Sequence, residues 1–209
     1  MAIQFIEITV GFAIFAIIHS VLAATGVQNF VEAKVPALHR CYRLVYTLIS
    51  VVSLGLLILL LPPTGKLLYA LHPPISWIFR AIQLAAAFFF LLALRDFNTG
   101  NFLGLDCLKK SRPSQPEQLT VSGLFRYCRH PMYLASTVFL LAQPQMNSGM
   151  LAYTLNIILY LLVGSIFEEK RLEKTFGPAY VEYKKQVPKF LPRFRKGQNA
   201  LKKPGKELI

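Results

Sequence analysis

Long apolar runs alternate with short polar connections along this chain. Ile3 to Ala24 is almost continuously apolar, broken by Glu7, His19 and a few small polar residues. At a rise of about 1.5 Å per residue, about 20 such residues cross the hydrocarbon of a bilayer, so the run predicts a first transmembrane helix over 3–24. A signal peptide is disfavoured, because no Lys or Arg precedes the run. A second span is predicted over 44–61 and stops at Pro62-Pro63, where the amide donor is lost. The third, over 75–94, carries Trp77 as an interfacial anchor and Arg80 close enough to its start to snorkel. A shorter run, 131–142, opens with Pro131 at the first helical position, turns through Gln143 to Gly149, and returns over 150–167. These two arms read as a helical hairpin. The first is short for a full span unless its base, Arg126 to His130, is drawn into the headgroup region.

The polar stretches divide the work differently. Thr25 to Arg43 reads as a connection, and Arg95 to Gly123 as a long loop whose Asp96, Asn98, Asn101 and Asp106 either cap and turn the chain or reach a ligand. Beyond the last span, Leu172, Phe176, Tyr180 and Tyr183 recur at three- and four-residue spacing among charged residues. That predicts an amphipathic helix on the membrane face, interrupted at Gly177-Pro178. Residues 1–192 are expected to form a single integral membrane domain, and 193–209 a basic tail suited to lipid headgroups.

Composition supports this reading. In 209 residues, 54% are hydrophobic and 16% charged, and the mean hydropathy is +0.46. The expected class is an all-α polytopic membrane protein of about five spans. A net charge of +13 in a soluble chain would point to nucleic acid. Here no recognition motif accompanies it, so no nucleic-acid partner is expected. Instead, five spans with the N-terminus outside place 21 of the 23 Lys and Arg residues on the cytoplasmic side, leaving Lys66 and Arg80 opposite. Cys41, Cys107 and Cys128 show no CxxC spacing, so neither a metal site nor a disulfide framework is expected, and all three are placed on the reducing side.

Two clusters could carry chemistry. Arg129-His130-Pro131-x-Tyr133 sets a guanidinium, an imidazole and a phenol around a helix start, where unpaired amides favour a carboxylate. Across the hairpin, Glu168-Glu169 offers acceptors for an ammonium or for hydroxyls. A zwitterionic cofactor would find both charges matched. The plainer alternative is a salt bridge closing the hairpin. His19, ionisable within a span, is a functional candidate or a histidine hydrogen-bonded to a neighbouring helix.

The run Gly123-Leu-Phe-Arg-Tyr-Cys-Arg129-His-Pro-Met-Tyr133, followed by Glu168-Glu-x-x-Leu172, Phe176-Gly, Tyr180, Tyr183, Val187-Pro188 and Pro192, resembles the C-terminal half of the isoprenylcysteine carboxyl methyltransferase superfamily. His19-Ser20, the Arg40 to Tyr46 stretch and Gln143-Pro-Gln-Met146 are similar to bacterial methanethiol S-methyltransferases and denitrification-associated membrane proteins. The resemblance implies an integral membrane enzyme, of a bacterial inner membrane, that uses S-adenosylmethionine; the charge count places its site on the cytoplasmic face. Its cofactor would be held by Arg129, His130, Tyr133, Glu168, Glu169 and Tyr183, and a small thiol would accept the methyl group. His19 would orient or deprotonate that thiol. Methylation of a prenylcysteine carboxylate or a lipid amine, or a non-catalytic assembly or regulatory role, are the competing functions. One departure is Ala135, where the superfamily usually has glycine.

Overall fold

The computed structural model describes residues 2–35, 41–96, 104–108 and 119–193. In chain order the elements are α1 (Ala2–Ala23), α2 (Thr25–Lys34), α3 (Tyr42–Leu60), β1 (Leu67–Ala70), α4 (Ile75–Asp96), a 3-10 turn (Leu105–Leu108), a second 3-10 turn (Gly123–Arg126), α5 (Pro131–Leu141), β2 (Gln145–Asn147), α6 (Ser148–Phe176) and α7 (Pro178–Gln186). Asn98, Asn101 and the tail from 194 onward lie outside the described residues.

Among the described residues four helices, α1, α3, α4 and α6, are long and apolar enough to cross a membrane. Their large side chains stay uncovered by protein, as at Leu59, which is 76% exposed. Such surfaces are tolerable only against lipid. The protein is an integral membrane protein. The expected span over 131–142 is α5, whose 11 residues reach about 16 Å, roughly half of a hydrocarbon core. It is therefore too short to count as a full crossing. The 29-residue α6 joins the expected last span and the first half of the amphipathic stretch in one continuous helix. Part of the expected Thr25–Arg43 connection is also helical, as α2.

The chain folds as two compact units, with α6 contributing its start to one and its remainder to the other. In the first unit α1 lies along α3, and Gly11 supplies the room, since a Cβ there would meet Leu57 and Leu61 side chains at 2.8 and 2.9 Å. Tyr153 Oη donates to Leu61 O (2.7 Å), closing a carbonyl left open at the end of α3. β1 and β2 pair antiparallel with an irregular register between Leu67 and Tyr69. Cys41 and Cys107 form a disulfide with a Cα separation of 5.2 Å. This corrects the expectation of three reduced cysteines. The pair is 66 residues apart in sequence, so no local spacing announces it.

In the second unit α4 packs along α5, with Ala86, Ala93 and Ala135 buried. The Asp96 carboxylate at the end of α4 accepts from Leu124 N (3.3 Å), and Gly123 beside it has φ +57°, a backbone state that L side chains rarely adopt. Tyr180, Tyr183 and Val187 form a core under Leu119, Val121, Leu172 and Phe176. The chain after α7 then runs alongside residues 127–130, with Arg129 N donating to Pro188 O (2.9 Å), His130 N to Lys189 O (3.1 Å) and Arg193 N to Tyr127 O (3.2 Å).

Candidate functional site

Helix geometry explains how two adjacent glutamates acquire different surroundings. Neighbouring residues on an α-helix point about 100° apart, whereas i+3 and i+4 share a face. On α6, Glu168 therefore faces the same way as Arg171 and Leu172, and Glu169 the same way as Glu173. Glu168, Arg171 and Leu172 line a cavity of about 80 Å³, completed by Leu119, Phe125, Phe176 and Tyr180 on its apolar side and by Arg129 and His130 on its polar side. Glu169 and Glu173 both reach Lys184 on α7, at 3.5 and 2.5 Å.

Glu169 is saturated. Its Oε1 receives Arg129 Nε at 2.9 Å, Arg129 Nη2 at 2.9 Å and His130 Nε2 at 3.1 Å. Arg129 spends its remaining reach on the end of α7, where Nη1 donates to Lys184 O (3.2 Å) and Val187 O (2.5 Å). The guanidinium thus joins α5's start, α6 and α7. Arg129 and Glu169 are committed to each other rather than open to a ligand, which is the arrangement expected of a buried ion pair.

Glu168 differs. Its Oε2 is buried yet has no hydrogen-bond partner; the imidazole His130 Nδ1 stands 3.5 Å away, and the Tyr133 hydroxyl also interacts with the carboxylate. The His130 ring is buried, stacked on Tyr133 at 5.1 Å between centroids and tilted against Phe190 at 5.6 Å. Tyr183 presents its ring to the cavity while its hydroxyl donates to Phe125 O (2.6 Å). Burial pushes the Tyr180 and Tyr183 phenols up, so both remain protonated donors at neutral pH. Burial also pushes the Cys128 thiol up to about 11, against a smaller opposing hydrogen bond from the His130 backbone. Lys184 is raised by its bond to Glu173.

Arg129, His130, Tyr133, Glu168, Glu169 and Tyr183 are thus brought together in one unit. His19 belongs to the other. There Ser50 Oγ donates to Tyr46 O (2.8 Å), which uses its only hydrogen. The contact between His19 Nδ1 and Ser50 Oγ (2.8 Å) must then be donated by the imidazole. His19 Nε2 consequently accepts from Tyr46 Oη (2.7 Å). Both nitrogens serve the α1–α3 packing. Arg171, Lys184 and Tyr180 were not singled out as site residues by sequence; their i+3 and i+7 spacing from Glu168 and Val187 was the available signal.

A helical integral membrane protein with a polar, charge-bearing cleft at the end of a long span is the class that fold and site define. The chain belongs to the NnrU protein family, whose model matches residues 7–196. It is 30% identical over 199 residues to methanethiol S-methyltransferase of Pseudomonas deceptionensis, covering 90% of this chain and 72% of that one. To the protein of the same name from Pseudomonas sp. (strain GM41(2012)) it is 27% identical over 192 residues, covering 86% and 70%. The Mycobacterium tuberculosis protein of that name is 26% identical over 187 residues, covering 86% and 74%. No solved structure matches the chain. These similarities support a membrane methyltransferase.

Proposed function

We propose that this protein transfers the sulfonium methyl group of S-adenosylmethionine to a small thiol, from a site on the cytoplasmic side of a bacterial inner membrane. The observation that carries the reading is Glu168 Oε2, a buried carboxylate oxygen without a hydrogen bond in a cavity with an aromatic wall. An unpaired buried acceptor is unfavourable in a protein that binds nothing there. A cationic, amino-bearing donor molecule is the complement it lacks. The cavity of about 80 Å³ is smaller than the roughly 300 Å³ of a pocket for a whole ligand of that size. It therefore fits one end of the molecule.

When bound, S-adenosylmethionine supplies an electrophilic methyl carbon: the thiolate sulfur bonds to it as the sulfonium C–S bond breaks, leaving two neutral thioethers. The chain's own part is binding and alignment. Glu168 holds positive charge, Phe125, Tyr180 and Tyr183 form an aromatic wall beside His130, which Tyr133 backs by stacking, and Leu119, Leu172 and Phe176 keep water out. Alignment and desolvation of this kind lower barriers by about 7–11 kcal/mol in favourable cases. The thiol needs no strong base, because its ordinary pKa near ~8.5 leaves some thiolate at neutral pH. We assign no proton transfer to His19, whose ring nitrogens are both engaged. The test is transfer of radiolabel from the cofactor to methanethiol by purified full-length protein, run beside a prenylcysteine and a lipid amine. Absence of thiol methylation with wild-type protein would refute the thiol assignment.

A further inference from the structure

Among the described residues, Arg129, His130 and Arg171 are the basic side chains that line the cavity, and two of them are already occupied. Arg129 is spent on Glu169 and two carbonyls of the α7 end, and the His130 ring lies between Glu168 and Glu169. Arg171 is the third. Its guanidinium makes no hydrogen bond or ion pair among the described residues, although its backbone carbonyl accepts from Thr175 Oγ1 (3.0 Å), and its side chain is exposed at the cavity rim. It sits one turn beyond Glu168 on the same face of α6, an i,i+3 placement at which the two could have paired with each other. They do not. Glu168 Oε2 accepts no hydrogen bond and the Arg171 guanidinium donates none among the described residues, so one short stretch of helix offers an anion and a cation to the same cavity.

Resting on the donor reading above, we propose that Arg171 and Glu168 together clamp the α-amino-acid end of the methyl donor. Arg171 receives the carboxylate and Glu168 Oε2 receives the ammonium. A guanidinium matches a carboxylate in plane and with two parallel hydrogen bonds, which an ammonium side chain does not reproduce. In an α-amino acid both charged groups hang from one carbon, so two adjacent, oppositely charged side chains suffice. The aromatic wall then takes the rest of the cofactor, and the zwitterionic end fixes which way round it lies. Arg171 is on this account a specificity residue, separating α-amino-acid-bearing adenosyl compounds from those without that end.

The experiment is calorimetric titration of the full chain in detergent with three probes. S-adenosylhomocysteine has both charged groups, the decarboxylated analogue of S-adenosylmethionine keeps only the ammonium, and methylthioadenosine has neither. Arg171→Gln should weaken S-adenosylhomocysteine about 10- to 100-fold and leave the other two within about twofold. Glu168→Gln should weaken the first two probes and spare methylthioadenosine. Arg171→Lys should fall between wild type and Arg171→Gln, which guards against a fold defect posing as a binding effect. If Arg171→Gln changes all three probes equally, or none, the clamp is wrong while the donor reading stands. If wild-type protein binds none of the three, the donor reading fails and the clamp with it.

Discussion

Replacing Arg129 by Met should unfold the second unit far more readily than replacing Glu168 by Gln, although both residues border the same cavity. Arg129 and Glu169 side chains are each 9% exposed. Their contact comprises two donors on one carboxylate oxygen at 2.9 Å. Removing one member of such a pair leaves an uncompensated buried charge and costs about 3–5 kcal/mol. His130 and Lys184 remain near Glu169, at 3.1 and 3.5 Å, and offset part of that cost. The carbonyls of Lys184 and Val187 lose their donor as well, adding about 1–3 kcal/mol if water cannot replace it. The net expectation stays at about 3–5 kcal/mol. Glu168→Gln keeps an amide able to meet His130 and Tyr133 and removes no guanidinium pair, so its effect should stay within about 1 kcal/mol. Unfolding by SDS in mixed micelles, followed by far-ultraviolet circular dichroism, reads both. The double variant Arg129→Met with Glu169→Leu should recover most of the loss, because an apolar pair replaces the charges. Equal effects of Arg129→Met and Glu168→Gln, or a loss below about 1 kcal/mol for Arg129→Met, would refute this division of roles.

Cys128, 2% exposed, with its thiol pushed up to about 11, should resist iodoacetamide at pH 8 and react once the protein is unfolded. Because its ionisation is disfavoured in the fold, its contribution to stability should be constant below about pH 9 and decline as the pH approaches about 11. A denaturation series across that window, compared with Cys128→Ala, checks the sign. Peptide mapping after oxidation should recover Cys41 linked to Cys107, and not to Cys128; a mixed pattern would contradict the first unit's packing. Gly123→Ala should destabilise, since the backbone holds φ +57° and a Cβ there would collide with the Asp96 carboxylate. Gly55→Ala, which meets nothing within 4 Å, should be tolerated or slightly stabilising in the same unfolding assay.

The spans were legible because lipid imposes a single demand, continuous apolarity, and α1, α3 and α4 begin and end within a few residues of where that pattern does. What the pattern hides is anything set by chain closure. β1 and β2 are four and three residues long, too short for alternation to register, and β2 lies in the stretch that reads as a turn. Cys41 and Cys107 meet through the packing of segments far apart in sequence. The run that forms α5 reads as short for a span, yet only its observed end at Leu141 shows that it falls well below a full crossing. At the site, residue types and spacing brought the basic and acidic clusters into one place. They could not say which charges cancel internally, because that depends on Arg129 turning towards the end of α7 at Lys184 and Val187.

Glu168 and Glu169 show why such a site can be both firm and receptive. Had the two carboxylates stood one turn apart, they would have faced the same cations and repelled each other within one cluster. As neighbours on α6 they diverge, and each takes a separate electrostatic environment. Glu169, ringed by Arg129, His130 and Lys184, ties three segments of the unit together and fixes the cavity wall. Glu168 is then held beside that frame, with His130 Nδ1 3.5 Å from an oxygen that accepts no hydrogen bond. His130 touches both carboxylates, so a ligand that draws Glu168 away from it should strengthen the hold of His130 on Glu169. Binding would tighten the frame through that single imidazole.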